Sequence, residues 1–128
     1  KQSEFYCPGS ILRIHVDNSH PVGYGLPEWI SGYFTHSQAF EISEPDKKDD
    51  RTDSRDPAKR YPATVVARYS DTVLLESGWI HGGELITDKP AVVEVSYGAG
   101  RIVLLGFRVQ NRGQSWGTFR LLFNAIGL

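Results

Sequence analysis

Two apolar runs flank a short glycine-rich segment, and this pairing restricts the fold of the chain more than any other feature of the sequence. The runs 91–95 and 101–107 are rich in β-branched residues, and Tyr97-Gly98-Ala99-Gly100 separates them. The pattern predicts a β-hairpin, because glycine permits the backbone angles that tight turns need. The second run is apolar nearly throughout, which predicts a strand covered on both faces.

Other segments add strands and a single helix. β-branched and aromatic residues predict strands at 11–16, 33–42, 64–69 and 73–77. Near the end of the chain, helical spacing relates the apolar residues Trp116, Phe119, Leu122, Phe123 and Ile126, which predicts a helix over 117–125 that stops at Gly127. One helix covers a face of a sheet poorly, so the pattern indicates that partner surface is missing.

A charged segment interrupts the β pattern. Residues 44–60 contain six acidic and six basic side chains, and Ala58 is their only apolar residue. Such a segment predicts a solvated loop or an insertion between strands, since it cannot bury enough apolar surface to become ordered. A protein-docking loop or a protease-sensitive connector is the functional alternative.

Composition restricts the function classes. The 128 residues, 40% of them hydrophobic, predict a single domain spanning 1–128. Fourteen Lys and Arg balance fifteen Asp and Glu, so we expect no strong attraction to nucleic acid or to anionic membranes. No apolar run is long enough for a membrane span, and a single cysteine excludes an internal disulfide framework. The chain contains no methionine, which predicts a processed product or an excised piece.

Two small motifs suggest chemistry only weakly. Cys7 precedes Pro8, which lacks the backbone N–H that a nucleophile elbow donates, so we expect a packed thiol. His81 and Glu84 have the HxxE spacing of a zinc site, but no later histidine follows, which favours a surface turn.

His15, Asp17 and His20 lie close together in the sequence. Alternate strand positions would place His15 and Asp17 on one face, as a metal site or an acid–base pair requires. The segment Asp17-Asn18-Ser19 is also typical of an ordinary turn, which is the favoured interpretation.

The segment between the last strand and the helix is the better candidate for a ligand site. The candidate ligand-binding residues in it are Arg108, Asn111, Arg112, Gln114 and Ser115. A strand end that meets a helix N-terminus is a common anion site in open α/β sheets, and two arginines can clamp a carboxylate or a phosphate. The alternative is that these side chains attach the helix to the sheet.

Three stretches together resemble one family. They are CPGSIL with the following D..HP..YGLP in 7–27, then VARY with SGW in 66–79, and GAGRIVLLGF with RGQ..GTFRLLFNA in 98–125. These motifs resemble the C-terminal region of large bacterial zinc carboxypeptidase-like proteins, in which a class I glutamine-amidotransferase-like domain follows the peptidase domain. The resemblance implies an α/β fold, a flavodoxin-like or glutamine-amidotransferase-like mixed sheet of which this chain holds the later portion.

The resemblance also implies what the chain does. Amidotransferases use a cysteine elbow and a later His-x-Glu pair, and this chain has neither, so no catalytic residue is carried over. The resemblance therefore implies a non-catalytic accessory domain, a C-terminal fragment of a secreted extracellular or periplasmic protein. Its partner would be the upstream peptidase domain of the same polypeptide, which would hold the zinc, and this chain itself would hold no cofactor.

Two other functions stay open. One is a stand-alone binding module for an anionic or carbohydrate ligand at the segment from Arg108 to Ser115. The other is a self-contained hydrolase that uses His81 and Glu84.

Overall fold

The computed structural model describes residues 4–42, 61–113 and 115–128. In these ranges, six strands form one sheet with the order β2-β1-β3-β5-β6. The sixth strand, β4, pairs with the part of β1 that β3 does not reach. The strands are β1 (Pro8–Val16), β2 (Trp29–Thr35), β3 (Ala63–Tyr69), β4 (Leu75–Ser77), β5 (Pro90–Tyr97) and β6 (Gly100–Leu105). The predicted charged segment 44–60 lies outside the described residues.

The predicted α/β flavodoxin-like fold is wrong. Every strand pair among the described residues is antiparallel, and the sheet curls into a half-barrel. A flavodoxin-like sheet consists of parallel strands, which need crossover helices to join them. Here a tight turn at Gly98 and Ala99 joins β5 to β6, and the one α-helix of the described part follows the last strand instead of linking two strands.

That helix, α1 (Trp116–Ile126), packs on the inner side of the half-barrel. Short 3-10 turns at Pro21–Gly23 and Gly83–Leu85 complete the regular structure of these ranges. Asn124 Nδ2 donates to the carbonyls of Val22 and Tyr24 at 2.9 Å each, which attaches the helix to the loop between β1 and β2. The predicted helix is thus confirmed, with one more residue at each end.

The core fills the concave face of the sheet. Alternate residues of β1 are buried there, and side chains from four other elements join them: Leu12, Ile14, Val16, Phe34, Val66, Tyr69, Val92 and Leu121. A Cβ atom at Gly32 would overlap the end of the Ile14 side chain and lie tightly against the Phe107 ring, so glycine leaves room where β2 approaches Phe107, two residues after β6. The other face of β1 carries Arg13 and His15.

Two strand predictions need correction. The run 101–107 was expected to be covered on both faces, but β6 is an edge strand, and Ile102 and Leu104 keep 43% and 39% of their surface exposed. The strand expected over 33–42 ends at Thr35, since His36 adopts a φ of 46°. The predicted hairpin is confirmed, with Tyr97 opposite Gly100.

Among the residues that the structure describes, no helix has the length and apolar character that crossing a membrane requires.

Candidate functional site

Hydrogen bonds within the connection between β6 and α1 hold this segment together. The Asn111 backbone N–H donates to Ser115 Oγ at 3.0 Å, and Ser115 Oγ donates to the Val109 carbonyl at 3.3 Å. Thr118 Oγ1 donates to the same Val109 carbonyl at 2.7 Å. These bonds connect the start of the helix to the end of the sheet.

Two more backbone donors of this connection, the N–H groups of Arg112 and Gly113, are also engaged. With the Gln110 amide oriented to suit its neighbours, its oxygen accepts from the N–H groups of Gly113 and Arg112 at 3.0 and 3.2 Å. The geometry of the connection therefore fits the interpretation that it attaches the helix to the sheet.

The two arginines of this segment have different surroundings. Arg108 lines an open pocket of about 300 Å³ together with His36, Ser37 and Phe40, whereas Arg112 is exposed, has a φ of 51° and does not line that pocket. Gln114 lies outside the described residues. The structure thus joins Asn111 to Ser115 directly and places Arg108 beside His36.

Two of the weak motifs are neighbours in the fold, because Tyr6, which precedes Cys7, pairs with His81. Cys7 is half-buried and packs against the core. His81 pairs through its backbone with Tyr6 and stacks on Trp79 with ring centroids 6.3 Å apart, and Glu84 is exposed in a 3-10 turn. In the described ranges, no three His, Cys, Asp or Glu side chains are grouped so that they could hold a metal ion.

The Asp17 segment is a turn, as the favoured interpretation predicts. Asp17 Oδ1 accepts from the Ser19 hydroxyl at 2.5 Å and from the Ser19 N–H at 3.0 Å. These hydrogen bonds hold the pKa of Asp17 below its ordinary value. His15 lies 2.9 Å from Glu28 Oε1 instead, so His15 and Asp17 do not form one site.

A polar cluster that sequence reasoning missed lies inside the half-barrel. His20 Nδ1 accepts from the Val22 N–H at 3.1 Å, so Nε2 carries a proton and donates to Glu94 Oε2 at 2.6 Å. The side chains of His20 and Glu94 are only 12% and 13% exposed, and Arg101 Nε lies 3.6 Å from the second Glu94 oxygen. Glu94 and Arg101 lie on one face only because β5 pairs with β6. No local pattern in the sequence predicts this contact.

The apolar side of α1 faces solvent. We call Trp116, Phe119, Phe123 and Ile126 the helix stripe, because their spacing of three and four residues aligns them along one side of the helix. Trp116, Phe123 and Ile126 are 77%, 63% and 73% exposed, whereas Thr118 and Leu121 are fully buried. The helix thus attaches to the core through its less apolar side.

A cleft continues the helix stripe towards the edge of the sheet. It has a volume of about 450 Å³ and lies between the β5–β6 turn and the C-terminal end of the helix. Arg101 and Val103 line one wall, and Ala125, Ile126 and Leu128 line the other. Leu128 is 46% exposed, so the apolar surface extends from the helix into the cleft.

Two arginines lie beside this surface. Arg101 lines the cleft together with Ile126 and Leu128, and Arg120 lies on the helix itself. Both arginines are exposed. The surface thus combines an apolar stripe with two cationic side chains.

Comparison with family models, with curated proteins and with solved structures finds no match to this chain.

Proposed function

We propose that this chain is a non-catalytic accessory domain of a zinc carboxypeptidase-like protein, and that the helix stripe packs against the peptidase domain of the same polypeptide. The observation that carries the docking part is the exposure of Trp116, Phe123 and Ile126 on a helix whose opposite side is buried. The resemblance of the sequence motifs supports the choice of partner.

The composition of the helix stripe suits a protein interface. Aromatic residues and arginine are enriched where proteins bind each other, and one Phe or Trp side chain buries about 150–250 Å². A large exposed apolar patch on a small domain usually marks an interaction surface. Because Arg101 lines the cleft and Arg120 lies on the helix, the matching surface of the peptidase domain should be apolar with acidic groups opposite these two arginines.

The chemistry belongs to the partner in this proposal. The zinc and the residues that bind it lie in the peptidase domain, which makes the parent protein a metallocarboxypeptidase exported to the periplasm or the extracellular space. The accessory domain supports that domain or binds something beside it.

The test begins with the coding DNA upstream of the Lys1 codon. We expect an in-frame peptidase domain with an HxxE motif and a later histidine. Titration calorimetry of the chain with that domain should give a defined affinity, and Phe123→Gln should weaken it at least about tenfold, as truncation of a central aromatic residue does.

Val73→Gln is the matched control, because Val73 is 58% exposed but lies between β3 and β4, away from the helix. This variant should bind like the unaltered chain. The proposal is wrong if no peptidase domain is encoded upstream, or if Phe123→Gln binds as tightly as the control. Hydrolysis of a C-terminal residue by the isolated chain would also contradict it.

A second candidate is a binding module for an anion, favoured by the pocket that Arg108 shares with His36 and Ser37. An anion such as phosphate would raise the melting temperature of the chain, and Arg108→Ala would abolish that rise while Arg112→Ala would not. If Arg112→Ala abolishes the rise and Arg108→Ala does not, the anion binds at the segment from Asn111 to Ser115 instead.

A further inference from the structure

Three neighbouring strands place a row of polar and aromatic side chains on the outer face of the sheet. His15 on β1 pairs directly with Trp29 on β2 and with Arg68 on β3. The His15 and Trp29 rings pack edge to face with centroids 4.8 Å apart, and Glu28 Oε1 lies 2.9 Å from His15 Nε2. The indole and the imidazole are therefore held in place before any ligand arrives.

A small pocket opens beside this row. It has a volume of about 260 Å³, and its lining includes Trp29, His15, Arg68, Asp71 and Asp88. Pockets for drug-sized ligands start at about 300 Å³, so this pocket suits a smaller molecule. It lies on the face of the sheet opposite α1, and its use does not depend on docking of the helix stripe.

The pocket presents charges of both signs. Arg68 Nη1 donates to the Asp88 backbone carbonyl at 2.9 Å, which orients the guanidinium but leaves its charge unneutralised. Within the described part of the chain, neither Asp71 nor Asp88 has a cationic side chain within ion-pair distance. One arginine and two aspartates thus line a single small space.

Asp88 is held in its position by the backbone. It has a φ of 59°, a region that favours glycine and tolerates Asp and Asn, and its N–H donates to the Tyr69 carbonyl at 3.1 Å. Non-glycine residues in this region cluster at binding sites, where the surrounding structure fixes them.

A carbohydrate fits this pocket less well. Sugars stack on an open aromatic face, but the Arg13 guanidinium already lies over the Trp29 ring, 4.3 Å from its centroid. The indole therefore offers an apolar wall instead of a free platform. Opposite charges beside an apolar wall match a small molecule that carries both an anion and a cation.

We propose that this pocket binds a zwitterionic α-amino acid with an apolar side chain. Arg68 binds the carboxylate, Asp71 and Asp88 bind the ammonium group, and the side chain of the ligand packs against Trp29. Both polar contacts are charge-assisted, which makes them stronger than neutral hydrogen bonds.

The experiment is an NMR titration of the full chain with L-phenylalanine and, separately, with L-leucine. We expect saturable shifts of the Trp29 indole N–H and of the Asp71 and Asp88 amides. Phenylalaninamide, which lacks the carboxylate, and 3-phenylpropionate, which lacks the ammonium group, should each bind at least about tenfold more weakly.

Two variants test which residue binds each charged group of the ligand. Arg68→Gln and Asp88→Asn should each weaken L-phenylalanine binding about tenfold, and Asn tolerates the backbone angle of Asp88, so the fold is kept. Arg120→Gln and Glu84→Gln are matched controls, because both residues are exposed and neither lines the pocket. They should bind normally.

Three results would overturn the proposal. The first is that neither amino acid shifts these signals. The second is that 3-phenylpropionate binds as tightly as L-phenylalanine, which would show a site for an anion only. The third is that Arg68→Gln and Asp88→Asn, with melting temperatures equal to that of the unaltered chain, bind like the controls.

Discussion

The hydroxyl group of Tyr69 allows a quantitative test of how the core is built. Tyr69 is 1% exposed, its hydroxyl donates to the Gln38 carbonyl at 2.7 Å, and its ring packs edge to face on Phe34 with centroids 5.7 Å apart. Burial, together with a smaller effect of the nearby Cys7, raises the pKa of Tyr69 above its ordinary value of about 10. The folded protein therefore keeps this phenol protonated in mildly alkaline solution.

Replacing Tyr69 by Phe should have opposite effects at neutral and at alkaline pH. At neutral pH the variant loses one hydrogen bond and should be less stable by about 1 kcal/mol. Above about pH 10 the unfolded state of the unaltered protein releases the Tyr69 proton while the folded state retains it. Its free energy of unfolding then falls by about 1.4 kcal/mol per pH unit relative to the variant. The two stabilities should become equal near pH 10.7, and Tyr69→Phe should be the more stable protein above it.

Urea unfolding at intervals from neutral to alkaline pH measures this difference. Tyr24→Phe is the control, because the Tyr24 side chain is 70% exposed and its hydroxyl meets water in both states. This control should stay within about 0.5 kcal/mol of the unaltered protein throughout. A difference between Tyr69→Phe and the unaltered protein that does not change with pH would refute the reasoning.

Two further changes test how α1 is attached. Leu121→Ala removes a fully buried side chain and should lower the free energy of unfolding by about 2–5 kcal/mol in urea melts, and a loss below about 1 kcal/mol would contradict its place in the core. Asn124→Ala removes two hydrogen bonds to the carbonyls of Val22 and Tyr24, and it should lower the free energy of unfolding by about 1–2 kcal/mol in thermal melts. Amide hydrogens in the loop before β2 should also exchange faster in this variant. Unchanged exchange there would contradict the contact.

Local patterns in the sequence predicted most elements but not their arrangement. The hairpin around Gly98, the strand that includes Val66 and the C-terminal helix follow from β-branched runs, turn residues and helical spacing. Strand direction does not, since parallel and antiparallel strands use the same residues, and the α/β expectation came from the resemblance. The position of β6 could not be predicted either, because an apolar run has the same sequence pattern in a central strand as in an edge strand.

The sites depend on register still more strongly than the fold. Asn111 and Ser115 are four residues apart, and their contact is a local one that the sequence could suggest. Trp29, His15 and Arg68 form a row only because β1 pairs with β2 and β3 in one register, and a shift of one residue would turn the row inwards. His20 likewise meets Glu94 only through the curl of the sheet.

The two sides of α1 have separable roles, and this separation makes the docking proposal testable without unfolding the domain. Thr118, Leu121 and Asn124 hold the helix in place, whereas Phe123 and Ile126 on the other side keep most of their surface in water. A side chain that is exposed in the folded state gains little from folding, so the combined change Phe123→Gln and Ile126→Gln should alter the free energy of unfolding by less than about 1 kcal/mol. Glutamine is a good helix former and carries no charge that would oppose the helix dipole. The same double change should abolish binding of the peptidase domain. If it instead unfolds the isolated chain, the helix stripe belongs to the core, and the exposure that supports docking is not a property of the folded domain in solution.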